Sequence, residues 1–144
     1  NARVFANKEF AVTARAIVEA MYDAYGKGDL EGTFVHFAKD VNHTANACHN
    51  GGRFCGAYDG LDALRERVTE ILTHWAFDSY VPQSLTVEGE KVAALVRITG
   101  HQRHTGARLE TIVAHFMTVK DGKITALTEV FDGAPLEAAM AHAA

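Results

Sequence analysis

The sequence predicts an α+β fold: a mostly antiparallel sheet with its helices gathered on one face. One observation is the order of elements along 144 residues, namely helix, helix, strand, loop, helix, then four strands in succession. A second is the pair Asp121-Gly122 between two long apolar-rich runs, Arg108 to Lys120 and Lys123 to Phe131. Asp-Gly in that setting is a strong hairpin signal, because both residues tolerate positive φ. The third is that the late strands follow one another through short turns, which makes neighbours antiparallel.

Each element has its own signal. Phe10, Ala14, Ile17, Val18, Met21 and Tyr25 recur at helical steps, with Tyr22 beside the stripe, and Gly26 and Gly28 end this first helix. Asp29 can cap a short second helix with Leu30, Phe34 and Phe37 or Ala38 on its inner side. Asp40 to Ala47 reads as a strand with Val41, His43, Ala45 and Ala47 on one face. Gly51, Gly52, Gly56 and Gly60 mark a loop or short hairpin. Leu61, Leu64, Val68, Ile71, Leu72 and Trp75 define the third helix. Pro82 makes Tyr80 to Glu88 an edge strand, Gly89-Glu90 turns the chain, and Val92 to His101 alternates as the next strand. After a turn at His104 to Gly106 comes the hairpin, and Pro135 suits the first turn of a tail helix. The middle of Arg108 to Lys120 is apolar on both faces, so helices are expected over one and a second subunit over the other.

Composition narrows the function classes. Apolar residues make up 48% and charged residues 22%, which fits one folded domain with a core of its own. A formal net charge of -4 without a Lys/Arg run argues against nucleic acid and against an anionic membrane surface as partners. No apolar stretch approaches the ~20 residues of a spanning helix. With no leader-like pattern visible, a cytoplasmic location is expected. Cys48 and Cys55 read as free thiols or as a disulfide, and both readings stay open. His43, Cys48, His49 and Cys55 match no familiar zinc spacing, so no metal is expected, and no organic cofactor either. Nucleophile elbows, phosphate loops, dinucleotide fingerprints and HExxH patterns are absent.

Gly28-Asp-Leu-Glu-Gly-Thr-Phe-Val-His-Phe-Ala-Lys-Asp40 resembles the second-helix signature of ketosteroid isomerases, and Asp121-Gly-Lys-Ile124 with Glu129-Val-Phe-Asp132 resembles the closing hairpin of SnoaL-like proteins. Together with the element order, these resemble the nuclear-transport-factor-two-like superfamily, which also includes scytalone dehydratases and polyketide cyclases. The resemblance implies a curved sheet wrapped by three N-terminal helices into a cone with an internal pocket, spanning residues 1–144. It places Tyr22 where the isomerases keep an oxyanion-holding tyrosine. Ala45 stands in place of their proton-shuttling aspartate, and Ala114, before His115-Phe116, in place of their second acid. Steroid isomerisation by that mechanism is therefore not expected. In SnoaL-type cyclases the catalytic aspartate sits in the last strand, and the nearest carboxylate here is Glu129.

Three candidate catalytic residues follow, each with a plainer alternative. Glu129 shares a face with Leu127 and Phe131 and could be a general base, since partial burial would raise its pKa toward the working pH. Otherwise it forms an ion pair with Arg97 or Arg108, or lies exposed at the strand end. His43 could act as acid, base or donor beside the small residues Ala45 and Ala47, or be a satisfied core histidine. Tyr22 could hold an oxyanion, or simply sit at the helix-sheet boundary. Phe34, Phe54, Trp75, Phe116, Leu127 and Phe131 are candidate ligand-contacting residues, with ordinary core packing as the alternative. His115 is expected to face away from the cone. His49 and Asn50 either line the mouth or are solvated. The leading expectation is a homodimeric, cofactor-independent enzyme moving a proton on a small apolar carbonyl compound by isomerisation, cyclisation or dehydration. The alternative is a ligand-binding or dimerisation module without turnover.

Overall fold

The structure, a computed structural model, describes residues 12–46 and 52–141. Phe10, Ala47, Cys48, His49, Asn50 and Gly51 lie outside the described residues. Helix α1 (Ala14–Gly26) starts where the Thr13 hydroxyl accepts from the Ala16 N–H, and it buries Ile17, Val18, Met21 and Tyr22. Helix α2 (Leu30–Phe34) is capped by Asp29, whose carboxylate accepts from Gly32 N–H at 2.9 Å, as expected of a short acidic cap. Strand β1 (Phe37–Ala45) begins earlier than the sequence suggests. The His36 carbonyl already accepts from Ile124 N–H at 2.8 Å, so Phe37 belongs to the sheet and not to α2.

A two-residue strand β2 (Gly56–Ala57) precedes helix α3 (Leu61–His74). Trp75, expected on that helix, is instead the first residue of β3 (Trp75–Glu88), where its backbone is extended. Then come β4 (Lys91–Gln102), β5 (Arg108–Lys120), β6 (Lys123–Phe131) and the tail helix α4 (Ala134–Ala141). Among the described residues the curved, open sheet has the order β2-β1-β6-β5-β4-β3, with only β1 and β6 paired in parallel. Pro82 therefore sits on an edge strand, where its missing N–H costs little. Helices α1, α2 and α3 pack on the concave face with Val41, Val96, Met117, Ile124 and Leu127. A smaller cluster joins α4 to Phe54, Trp75 and Leu109.

The β5–β6 hairpin holds the detail that positions the site. Asp121 and Gly122 have φ of 50° and 77°, the left-handed turn that Asp-Gly favours. Lys120 pairs with Lys123 and Val119 with Ile124, but Thr118 pairs with Ala126, so Thr125 is an extra residue in the ladder. Such a bulge exchanges the faces of everything beyond it relative to the partner strand. Without it His115 would oppose Thr128. With it His115 lies directly across from Glu129.

Two expectations are corrected by this shift. Leu109, Thr111, Val113, His115, Met117 and Val119 point inward, so His115 faces the interior and is only 3% exposed. Ala114 and Phe116 point outward, and Phe116, expected in the cone, is 52% exposed. The acid expected in place of Ala114 would thus have faced away from the interior, and the inward position belongs to His115. On the outer face Val81, Leu95, Ile112, Phe116 and Val130 are exposed on adjoining strands, with Leu95, Ala114 and Val130 in one cross-strand row. Among the described residues no helix is long and apolar enough to cross a membrane.

Candidate functional site

Between the helices and the concave face lies a cavity of about 110 Å³. Its walls are mostly apolar, and they include Phe34, Phe54, Trp75, Leu127 and Phe131 among the residues singled out in the sequence. The ionisable part of the wall comes from Tyr22 and Tyr25 of α1, Arg67 of α3, Tyr80 of β3, His115 of β5 and Glu129 of β6.

Glu129 is the centre of this polar group. Arg67 donates to both of its carboxylate oxygens, Nη1 to Oε1 and Nη2 to Oε2, each at 3.2 Å. His43 Nε2 is 3.2 Å from Oε1, and His115 Nε2 stands 3.7 Å from the same oxygen. Arg67 also donates from Nη2 to the Phe54 carbonyl at 3.1 Å and lies over the Tyr58 ring. Behind Glu129 the Asn46 side chain imitates a strand. Its Nδ2 donates to Phe131 O at 2.8 Å, its Oδ1 accepts from Phe131 N–H at 3.0 Å, and Asn46 N–H donates to Glu129 O. The end of β6 is thereby tied to β1. Burying Arg67 and Glu129 is costly, and a two-point contact with further hydrogen bonds is the geometry that offsets such a cost.

The electrostatics follow from these contacts. Burial alone would push the Glu129 carboxyl up, but Arg67, the hydrogen bond from His43 and the nearby histidines outweigh it and hold it well below the usual carboxylate range. Burial also raises Tyr22, Tyr25 and Tyr80, reinforced by the Glu129 charge, so all three keep their protons. Burial lowers His115, and Arg67 and His43 add to the effect while Glu129 opposes it, so the imidazole is neutral near pH 7. Tyr22 Oη is 2.6 Å from His115 Nδ1, with the two rings stacked at an interplanar angle of 6°.

The site gathers Tyr22, His43 and Glu129, but in unequal positions. Glu129 and Tyr22 line the cavity, while His43 is fully buried behind Glu129 and does not. Neither Arg97 nor Arg108 is the partner of Glu129: they pair with Glu110 and Asp78. Arg67 went unnoticed in the sequence, although it falls three residues after Leu64 and four before Ile71, inside the apolar stripe of α3. A charge at such a position is the signal that would have found it. His115 was missed because its facing depends on the bulge at Thr125. Among the described residues no group of three or more His, Cys, Asp or Glu side chains is placed to hold a metal ion.

A curved sheet wrapped by helices around an inner cavity, with ionisable side chains on its wall, defines the nuclear-transport-factor-two-like class of fold. Residues 18–127 match the SnoaL-like domain, and the chain belongs to that family. The matched region includes Tyr22, His43, Arg67 and His115 and stops two residues before Glu129. No protein of curated function matches the chain. Among solved structures it is similar to a nuclear-transport-factor-two-like protein of unknown function from Burkholderia pseudomallei, at 19% identity over 89% of this chain and 97% of that one, with a TM-score of 0.80. A second such protein, from Burkholderia thailandensis, is 26% identical over 89% and 97%, with a TM-score of 0.78. A candidate SnoaL-like polyketide cyclase from Mesorhizobium loti is 21% identical over 81% and 97%, with a TM-score of 0.67.

Proposed function

We propose that this SnoaL-like domain binds a small, mostly apolar carbonyl compound in its cavity and moves a proton at the carbon beside the carbonyl, with Glu129 as the acceptor. Isomerisation, cyclisation and dehydration can all begin with that step. The observation that carries this reading is a carboxylate only 13% exposed on the wall of an otherwise apolar cavity. Arg67 has two opposing effects. It keeps Glu129 ionised, the form a base needs, and it also weakens that base. Once the proton has moved, Glu129 is neutral and Arg67 is left facing the new oxyanion, so the site never holds an uncompensated charge. His43, whose ring nitrogen is already engaged with the carboxylate, acts as a positioning residue for Glu129.

A ligand-binding module without turnover is the second reading, favoured by the lowered basicity of Glu129. Hydrogen exchange separates the two. A panel of small cyclic ketones and enones is incubated with the protein in D₂O, and loss of the α-proton signal is followed by NMR. The expected result is catalysed exchange that falls on the order of 10²-fold or more in Glu129→Gln. Exchange of equal rate in the variant would remove Glu129 from the chemistry, and binding without any exchange would favour the second reading. As partner, a second copy of the chain is proposed for the outer sheet face, where Phe116, Ile112, Leu95 and Val130 form an apolar surface suited to a self-complementary contact.

A further inference from the structure

The geometry points to His115, and not Tyr22 or His43, as the group that takes the ligand's carbonyl oxygen, through an Nε2–H that Tyr22 fixes in place from behind. The inference rests on the carbonyl ligand proposed above and assigns the electrophilic half of its site. Tyr22 and His43 are already occupied: the Tyr22 hydroxyl lies 2.6 Å from His115 Nδ1, and His43 Nε2 lies 3.2 Å from Glu129. His115 Nε2 is different. It is buried at the cavity wall and has no hydrogen-bond partner among the described residues.

One contact selects the tautomer. Glu129 Oε1 stands 3.7 Å from Nε2, too far for a good hydrogen bond but near enough to repel a nitrogen lone pair, which favours Nε2–H. With the ring proton there, Nδ1 is left to accept from the Tyr22 hydroxyl at 2.6 Å. The Tyr22 and Tyr80 rings both lie close to the imidazole, at centroid distances of 5.8 and 6.4 Å, and the Tyr22 contact to Nδ1 fixes which way the ring is turned. A donor left without a partner in an apolar enclosure is a strong recognition element for an acceptor oxygen. Its position across the β5–β6 ladder from Glu129 puts donor and base on the same wall. The proton balance is simple. The C–H bond breaks, its proton goes to the Glu129 carboxylate, and the electron pair forms an enolate whose oxygen keeps the hydrogen bond from Nε2–H. His115 stays neutral throughout.

Two measurements test this. Long-range ¹H–¹⁵N correlation spectra of the intact protein at pH 7 should show His115 as the Nε2–H tautomer, and Tyr22→Phe should mix the tautomers. A dominant Nδ1–H form in the wild type would overturn the assignment. With 2-cyclohexenone as probe, the infrared carbonyl stretch of the bound molecule should lie below its value in hydrocarbon solvent. In His115→Phe that shift should vanish and affinity fall about tenfold. His115→Gln, which retains an N–H donor, should restore part of the shift. A bound probe whose carbonyl stretch is the same in wild type and His115→Phe refutes the role of His115 alone. A cavity that takes up no cyclic ketone or enone refutes the shared carbonyl reading, and this assignment with it.

Discussion

Replacing Arg67 with Met removes a cation that contacts Glu129 at two points, while keeping most of the buried volume. The arginine is 5% exposed and the Glu129 side chain 13%, so water cannot readily take over the solvation of the stranded carboxylate. Breaking a buried pair by deleting one member costs about 3–5 kcal/mol, a large share of the stability of a typical domain. The pH dependence should change sign. In the wild type the folded pKa of Glu129 lies below its unfolded value, so its contribution is full above that unfolded value and is lost only as pH falls through the folded one. Without Arg67, burial dominates, the folded pKa rises above the unfolded value, and the group destabilises the fold increasingly as pH rises through the new pKa. The loss measured by urea unfolding, relative to wild type, should therefore be larger at pH 7 than at pH 5. Arg67→Met combined with Glu129→Gln should recover most of it, because no charge is then left buried. Equal losses at both pH values, together with additive single-variant effects, would refute the pairing as described.

Two further outcomes concern the frame around the site. Phe116→Glu places a charge on the exposed apolar face and should shift the sedimentation coefficient from that of the proposed dimer to that of a monomer, with little change in the helical and sheet signal by circular dichroism. Gly100→Ala should lower the urea midpoint by the equivalent of about 1–3 kcal/mol, because an added Cβ would run into the Ala76 carbonyl of the paired strand β3.

How much of this was legible depended on whether the determinant was local. The Asp29 cap, the edge position of Pro82 and the Asp121-Gly122 turn are set by residues close in sequence, and each is found as read, as is the buried run Ile17, Val18 and Met21 of α1, which Tyr22 joins. Alternation puts Leu127, Glu129 and Phe131 on one face, and all three line the cavity. Failure came where one residue altered the ladder. Counting strictly back from the turn pairs Ala114 with Glu129 and Phe116 with Leu127, which would put Ala114 and Phe116 inside and His115 outside. Thr125 breaks that count, and no glycine or proline marks it. Arg67 was hidden for another reason. Arginine in a helix ordinarily reads as a solvated position, and only the three-dimensional meeting of α3 with β6 supplies the carboxylate that makes its burial tolerable.

The bulge and the arginine together explain why Glu129 can sit where it does. Were β5 and β6 in register from the turn onward, the residue directly across from Glu129 on the inner face would be Ala114, and the carboxylate would have only Arg67 and His43 for company. Shifting the ladder by one residue brings in a neutral imidazole that is held by Tyr22 and turned toward the same cavity. The result is a wall with a carboxylate, a fixed counter-charge and an unpartnered ring nitrogen within one cross-strand pair and one helix. A carboxylate weakened by its arginine is a poor base by itself. In the reaction proposed above it becomes adequate only if the negative charge it creates on the ligand is stabilised at the same moment, by Arg67 through charge and by His115 through Nε2–H. In that proposed reaction, low basicity and strong oxyanion stabilisation are two consequences of one arrangement, and turnover depends on the second exceeding the first.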